Sequence, residues 1–529
     1  MSGRKPERWA TKIGVILAVA GSAIGLGNFL RFPAQAAQYG GAFMIPYFCA
    51  LLFLGLPLMW LEWALGRCGG ALGRHSLPGI YHVVTGRRWA KYVGVLGIYV
   101  PFVILVYYTY IESWTLAYGV YSVLGRFANV SGRQEMGAVL NDHLGISESA
   151  LAIPDWGLLF LGITVALNFW VIYHGVSRGI ERLTRVAMPV LFIMAVALVV
   201  RVLTLKNAGV ASPAEGLNFL WQPDFSKLRD AQLWLAATGQ IFFTLSLGLG
   251  AIITYGSYLR RNEDVALSGL TSASLNEFGE VILGGTIAIP AAVVFFGAVE
   301  TMEVAKGGSF QLGFMAMPII FQQMPFGNLF GMIWFLLLFF AGLTSSVSLI
   351  QPLVAFFQDE FGWSRHRSTL LLLGMTSAYL VPLVLFQKFG FLDEMDFWAC
   401  NIMLPLGALI EVLVFAWLLG MKRGWQEITR GAAIRVPIIF RTILKYITPI
   451  YLLVLLVSWT WQQAIPKFLL KDVDSAALPY VLTSRAILLA ILIAMVIKVW
   501  AAWQRQRAGR TIPPTPQFEE EAGLEEESR

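Results

Sequence analysis

Two glycine-rich interruptions inside long apolar stretches are where this chain can most readily build a chemical site. One reads Gly21-Ser22-Ala23-Ile24-Gly25-Leu26-Gly27-Asn28, the other Ser246-Leu247-Gly248-Leu249-Gly250. A glycine weakens a helix by roughly 1 kcal/mol relative to alanine. Several together, with Ser and Asn beside them, predict a helix unwound at its middle. Such a break has two electrostatic ends. Half-helix N-termini carry free N–H groups and partial positive charge, which suit a carboxylate. Half-helix C-termini and unwound carbonyls supply oxygens, which suit a small hard cation. The expected site therefore holds an anion next to a cation. Glycines that only let helices pack closely are the competing reading, and two clusters in matching positions weaken it. Asn276 and Glu280 lie one helical turn apart in a third apolar stretch, and carboxylates inside apolar spans are costly and usually functional.

The elements that must position these residues follow from composition. Of 529 residues, 57% are hydrophobic and only 13% charged, and the mean hydropathy is +0.66. A soluble domain carries about 25% charged residues, so a large soluble enzyme, a disordered chain and a nucleic-acid binder are excluded. Cys49, Cys68 and Cys400 are too few and too scattered for a disulfide framework or a metal site. Stretches near 20 apolar residues span a bilayer. Twelve are expected, at 11–37, 41–66, 92–124, 156–173, 187–204, 232–258, 265–297, 327–357, 368–387, 396–420, 447–466 and 477–501. Alternate connections hold 27 of the 39 Lys and Arg, and the richer side is the cytoplasmic one. Both termini are then inside, in a multi-pass membrane protein, and the net charge of +7 needs no nucleic acid.

The glycine breaks fall in spans one and six, five spans apart. Five is odd, so the second set of five is inverted relative to the first, with a substrate and ion site at the midplane. The expected fold is an all-α integral membrane protein of twelve helices, a five-plus-five inverted repeat with helices one and six broken. Its divisions are a cytoplasmic segment 1–10, a first repeat 11–204, a second repeat with extracellular loops 205–420, helices eleven and twelve in 421–504, and a disordered cytoplasmic tail 505–529.

Specific motifs name a family. The stretch Arg8-Trp9 through Gly21-Ser22-Ala23-Ile24-Gly25-Leu26-Gly27-Asn28-Phe29-Leu30-Arg31-Phe32-Pro33 resembles the first helix of neurotransmitter:sodium symporters. Gly239-Gln240-Ile241-Phe242-Phe243-Thr244, Ala341-Gly342-Leu343-Thr344-Ser345-Ser346 and Asp393-Glu394-Met395-Asp396-Phe397-Trp398 match it as well. The likeness covers nearly the whole chain and is greatest to bacterial leucine-transporting members, with the 125–155 loop and the termini divergent. It implies sodium-coupled import of a neutral hydrophobic amino acid by alternating access, two sodium ions per substrate, and no organic cofactor.

By the same resemblance, one sodium takes the Ala23 carbonyl, Asn28, the Thr244 carbonyl and hydroxyl, Asn276 and the substrate carboxylate. The other takes the Gly21, Ile24 and Ala341 carbonyls with the Thr344 and Ser345 hydroxyls. The substrate would meet Ser22, Ala23, Leu26, Gly27, Ile104, Tyr108, Phe243, Thr244, Ser246, Leu249, Ser345 and Leu349. Amine-transporting members carry aspartate where this chain has Gly25, which suits a substrate bringing its own carboxylate. Ser22, Ile104, Leu249 and Leu349 depart from the nearest members, so the preferred side chain stays open. Glu280 stands where chloride-dependent members carry serine near Tyr47, Gln240 and Asn276, which implies a fixed carboxylate in place of chloride. Glu62 would accept from the unwound backbone of helix six, and Glu112 and Glu411 read as structural. Arg31, Asp396 and Gln240 would form an external gate, and Arg8 with Asp359, supported by Ser257 and Tyr258, an internal one. The implied partners are the amino acid, sodium, membrane lipid and a second copy of the chain, with no nucleic acid. A channel filter and a Walker-type nucleotide loop are both missing from the sequence. A transport-dead amino-acid sensor is the alternative on the same fold.

Overall fold

The computed structural model describes residues 7–130, 132–146, 155–205, 209–471 and 473–507, and these contain helices and turns but no strand. The tail assigned to 505–529 falls outside the described residues from 508 onward, as do 1–6 of the N-terminal segment. Polar residues ahead of apolar runs set the helix starts. Thr11 accepts from Gly14 N at 3.0 Å, Asp230 from Gln232 N at 2.8 Å and Asp264 from Leu267 N at 2.9 Å, each satisfying a donor the helix cannot.

The first span is Lys12–Ala23 followed, after a break, by 27–39. The second runs 44–71 and the third Leu96–Val123. The fourth is Trp156–Tyr173 and the fifth Val176–Leu203. The sixth is split into Ala231–Thr244 and Ala251–Gly256. Val265–Lys306, Gly327–Phe361, Arg365–Phe389, Phe391–Leu418, Ile439–Phe468 and Leu478–Arg507 supply the seventh to twelfth. By length and composition alone, ten segments can cross a membrane. That count differs from the twelve expected for two reasons. Gly27–Ala71 is one apolar run of 45 residues in which Gly40, at φ 65°, turns the chain, and the sixth is cut short by its break. The seventh is interrupted at its expected end, Gly297, at φ 79°, and a second helical stretch follows to Lys306.

Contacts at the chain ends fix one face of the bundle, here called the terminal face. Glu7 pairs with Arg365 there, and Lys91 meets both Glu360 at 2.6 Å and Gln506 at 2.7 Å. A short helix, Leu77–Thr85, lies on that face. Spans three and eight pack along each other as a buried frame. Span two approaches the second half of span six so closely that side chains are excluded. A Cβ on Gly66 would lie 2.2 Å from Ile253 O, and one on Gly70 1.9 Å from Ser257 O. The two breaks thus sit in the middle of a packed frame, where unwound backbone is tolerated.

Candidate functional site

Helix one leaves the α conformation at Ile24, whose ψ is 90°, and resumes as a π turn at Gly27–Arg31. The freed amides find partners at once: Gly25 N donates to Asn28 Oδ1 at 2.8 Å and Leu26 N to Tyr108 Oη at 2.9 Å. Helix six unwinds through Ser246, Gly248 and Gly250, at φ 55°, 75° and 71°. Glycine accepts such angles freely, whereas for Ser246 they are strained. Its hydroxyl compensates by donating to Ser22 O at 2.9 Å, tying one break to the other. Glu62 Oε1 accepts from Gly248 N at 2.8 Å, and Glu411 lies against Glu62.

Oxygens gather at two points beside the breaks. The Asn276 amide points its oxygen at Ala23 O and Thr244 O, each 3.3 Å away, and at Asn28 Nδ2, 2.8 Å away. Oxygens facing oxygens repel unless a cation lies among them or the amide turns its NH2 toward them. Ala23 O, Thr244 O and Asn276 Oδ1 are neutral oxygens that fit a hard monovalent ion, whereas Asn28 presents its Nδ2 here and its Oδ1 accepts from Gly25 N. At the second point, Ser345 Oγ lies 3.3 Å from Gly21 O and 3.1 Å from Ser22 O, and Thr344 Oγ1 lies 3.2 Å from Ala341 O. Helices one and eight meet there, so the group forms only where the break frees the Gly21 and Ser22 carbonyls.

Between these points is a small cavity of about 30 Å³, room for roughly two waters. Its polar end carries Ser22, Asn28, Tyr108 and Ser345, and its apolar wall Ile104, Phe243, Leu249 and Leu404. Three expected contacts differ. Leu26, Thr244 and Leu349 do not border the cavity. Leu26 presents its amide to Tyr108, Thr244 turns its hydroxyl to Glu280 and Asn276, and Leu349 is buried in the packed core. Leu404, from span ten, fills the wall instead; its backbone already lies close to the helix-six break at Gly248.

Behind the cavity sits a carboxylate cluster larger than the sequence indicates. Glu280 Oε1 accepts from Gln240 Nε2 at 2.9 Å and Tyr47 Oη at 3.1 Å, and Oε2 takes the Thr244 hydroxyl. Tyr47 also reaches Glu277 Oε2 at 2.8 Å, and Asn276 Nδ2 reaches Glu277 Oε1 at 3.3 Å. Glu277, three residues before Glu280, is the residue the sequence reading passed over; the i, i+3 spacing that puts both on one helix face was its signal. Glu112 is elsewhere: Asn168 Nδ2 donates to both its oxygens at 3.1 Å, and Ser346 bonds Asn168 Oδ1 at 2.5 Å.

Neither expected gate is assembled as a direct pair among the described residues. Arg31 stacks its guanidinium 4.7 Å from the Phe243 ring centroid, Asp396 accepts from Tyr107 Oη at 2.8 Å, and Gln240 is taken by Glu280. Arg8 is exposed. Asp359 Oδ2 instead accepts from His75 N at 2.6 Å and Ser76 N at 2.9 Å, capping the helix that begins at Leu77. Both donors take one oxygen, and an exposed arginine on the other would add only about 0–1 kcal/mol. A vestibule of about 860 Å³ opens on this face, with Arg8, His75, Tyr258, Asp359 and Arg365 among its lining.

The geometry has counterparts among known proteins. The family model described as the sodium:neurotransmitter symporter family matches residues 6–134 and 139–507. An uncharacterised sodium-dependent transporter of Methanocaldococcus jannaschii is 30% identical over 467 residues, covering 85% of this chain and 90% of the relative. YhdH of Bacillus subtilis, also described as an uncharacterised sodium-dependent transporter, is 33% identical over 450 residues, covering 82% and 92%. Among solved structures, MhsT in complex with L-phenylalanine superposes with a TM-score of 0.74 at 31% identity, covering 86% of this chain and all of that one. With broken helices, oxygen-lined corners and relatives all in accord, this membrane protein belongs to the sodium:neurotransmitter symporter family.

Proposed function

We propose that this sodium-dependent transporter carries a neutral hydrophobic amino acid inward by alternating access, with two sodium ions per substrate and without chloride. The observation that carries the reading is the placement of Gly25 at the break. Its ideal Cβ position lies 2.6 Å from both Tyr108 Oη and Ser345 Oγ. No acidic side chain stands there to pair an amine, and the polar end offers hydroxyls and amides, which suit a carboxylate. The opposing wall is apolar and suits a hydrocarbon side chain. Ala23, Asn28, Thr244 and Asn276 would hold one sodium together with that carboxylate. Gly21, Ile24, Ala341, Thr344 and Ser345 would hold the other. MhsT, whose structure contains phenylalanine, supports an amino-acid substrate. Glu280, a carboxylate held beside the first set by Gln240, Tyr47 and Thr244, supports independence from chloride. The terminal face is read as cytoplasmic from its excess of Lys and Arg.

Sodium-driven counterflow in proteoliposomes, run across the neutral amino acids, tests this. Saturable exchange of one or a few apolar amino acids, lost when choline replaces sodium, is the expected result. Binding without exchange in any gradient would identify the sensor instead.

A further inference from the structure

The terminal face closes through contacts other than the Arg8–Asp359 pair. Glu7, on the segment leading into helix one, grips Arg365 through two bonds, Nε to Oε1 at 2.8 Å and Nη2 to Oε2. Arg365 is mostly buried and its Nη1 also donates to Gln351 Oε1 at 3.0 Å and Ile172 O at 3.1 Å. Gln351 passes the connection on, donating from Nε2 to Tyr258 Oη at 2.7 Å. The Tyr258 ring stacks on His75, with centroids 4.7 Å apart and planes 10° from parallel. His75 Nδ1 lies 2.9 Å from Ser257 Oγ. The Ser257 hydroxyl is spent on Thr254 O at 2.6 Å, so the histidine is the donor and holds its proton on Nδ1. Meanwhile Asp359 fixes the His75 backbone. The contacts run without a gap from the start of helix one to the second half of helix six, the two segments that carry the site.

We propose that Arg365 and His75 are the positioning residues that hold this face closed, Arg365 by clamping Glu7 and His75 by clamping Ser257 and Tyr258, while Arg8 has no share in the closure. The relay joins spans one, six, eight and nine with the Leu77–Thr85 helix, so its release frees the two broken helices together. It rests on the alternating-access reading, in which this face opens to release substrate.

The test uses a buried reporter. Ser348 is 1% exposed, and its Oγ lies 2.7 Å from Ser22 Oγ against helix one. Ser348→Cys therefore becomes reactive to a membrane-impermeant thiol reagent only when the face opens. Native Cys68, buried in span two, serves as a folding control in the full chain with Cys49 and Cys400 replaced. In sodium, His75→Ala and Arg365→Gln are each expected to raise labelling of the reporter thiol at least tenfold with Cys68 labelling unchanged. His75→Gln, which keeps an N–H for Ser257, should recover part of the slow rate. Arg365→Lys should not, since an ammonium cannot make the two-bond contact. Arg8→Ala should stay within twofold of the parent. If Arg8→Ala accelerates labelling as much as His75→Ala, or if neither His75 nor Arg365 substitutions change it, the proposal is overturned. Should the alanine variant unfold, with Cys68 labelling rising in step, the His75→Gln and Arg365→Lys comparison decides the same question. Labelling needs no transport, so absent counterflow with normal labelling changes would sink only the transport reading. Intact counterflow with unchanged labelling would sink only this one.

Discussion

Replacing Glu280 by serine offers a sharp test of the charge arrangement around the first sodium set. The carboxylate is one hydroxyl away from that set: Thr244 donates to Glu280, and the Asn276 amide lies 3.0 Å from the same hydroxyl. A cation on Thr244 and Asn276 would then be separated from the Glu280 carboxylate by the Thr244 hydroxyl alone, on the order of 5 Å. At an effective dielectric near 20, two unit charges at that spacing attract by about 3 kcal/mol, or about two decades of affinity. Glu280→Ser is therefore expected to weaken sodium binding by up to about a hundredfold in gluconate. Chloride should recover much of the loss, because Tyr47 and Gln240 are left as donors around the vacated volume. Glu277 tempers the effect. It keeps a carboxylate on Tyr47 at 2.8 Å, so adding Glu277→Gln should deepen the dependence on chloride. The assay is sodium titration of equilibrium substrate binding in matched gluconate and chloride buffers. A single variant whose sodium affinity shifts less than threefold in gluconate, or a parent that itself needs chloride, would refute the reasoning.

Asn28→Ala and Thr344→Ala should each weaken sodium binding by tenfold or more, and substrate binding with it by linkage; substrate binding unchanged in choline would show the sodium assignment to be wrong. Gly25→Asp should abolish amino-acid binding, since even its Cβ would sit 2.6 Å from Tyr108 Oη and Ser345 Oγ; unaltered affinity would remove the substrate from the break. Two sodium ions entering with a zwitterion move two charges, each worth about 2.3 kcal/mol per 100 mV, so a 100 mV potential alone should support about three decades of accumulation. Reversal potentials in vesicles at several sodium and proton gradients measure the charge per cycle: two is expected, about one if Glu280 returns with a proton, and zero contradicts two sodium sites.

The breaks were legible because they break a local rule. Nothing in a buried helix explains Gly248 and Gly250 so close to Ser246, whereas an unwound turn with φ near 55–75° requires residues of that kind. The polar side chains that gather beside the breaks were legible through the motifs around them, since Asn28, Thr244, Thr344 and Ser345 stand a few residues from a break or from a helix facing one. The spans were legible from hydropathy, while their ends were not. A further helical stretch follows the break at Gly297, where hydropathy ends the span, and the short helix Arg133–His143 forms in a loop whose composition resembles nothing in particular.

What the sequence hid is contact between elements distant in the chain. The Glu7–Arg365 pair joins residues 358 apart and the His75–Ser257 bond joins residues 182 apart. No period or local motif links such partners; only the packing of spans one, six, eight and nine brings them together. The gate residues err in the same direction. Arg8 and Asp359 are opposite charges that a motif places on one face, yet a charge pair forms only if each prefers the other to everything else within reach. Asp359 reaches two partly buried backbone amides at 2.6 and 2.9 Å through its Oδ2. Leaving those donors unpaired would cost about 1–3 kcal/mol each, against about 0–1 kcal/mol gained from an exposed arginine. The cap is therefore the larger contribution, and it does not exclude a pair on the other oxygen. Both amides take the same oxygen, Oδ2, so the cap fixes the carboxylate in the His75–Ser76 turn, and an exposed Arg8 pairing with the other oxygen would add only about 0–1 kcal/mol to it.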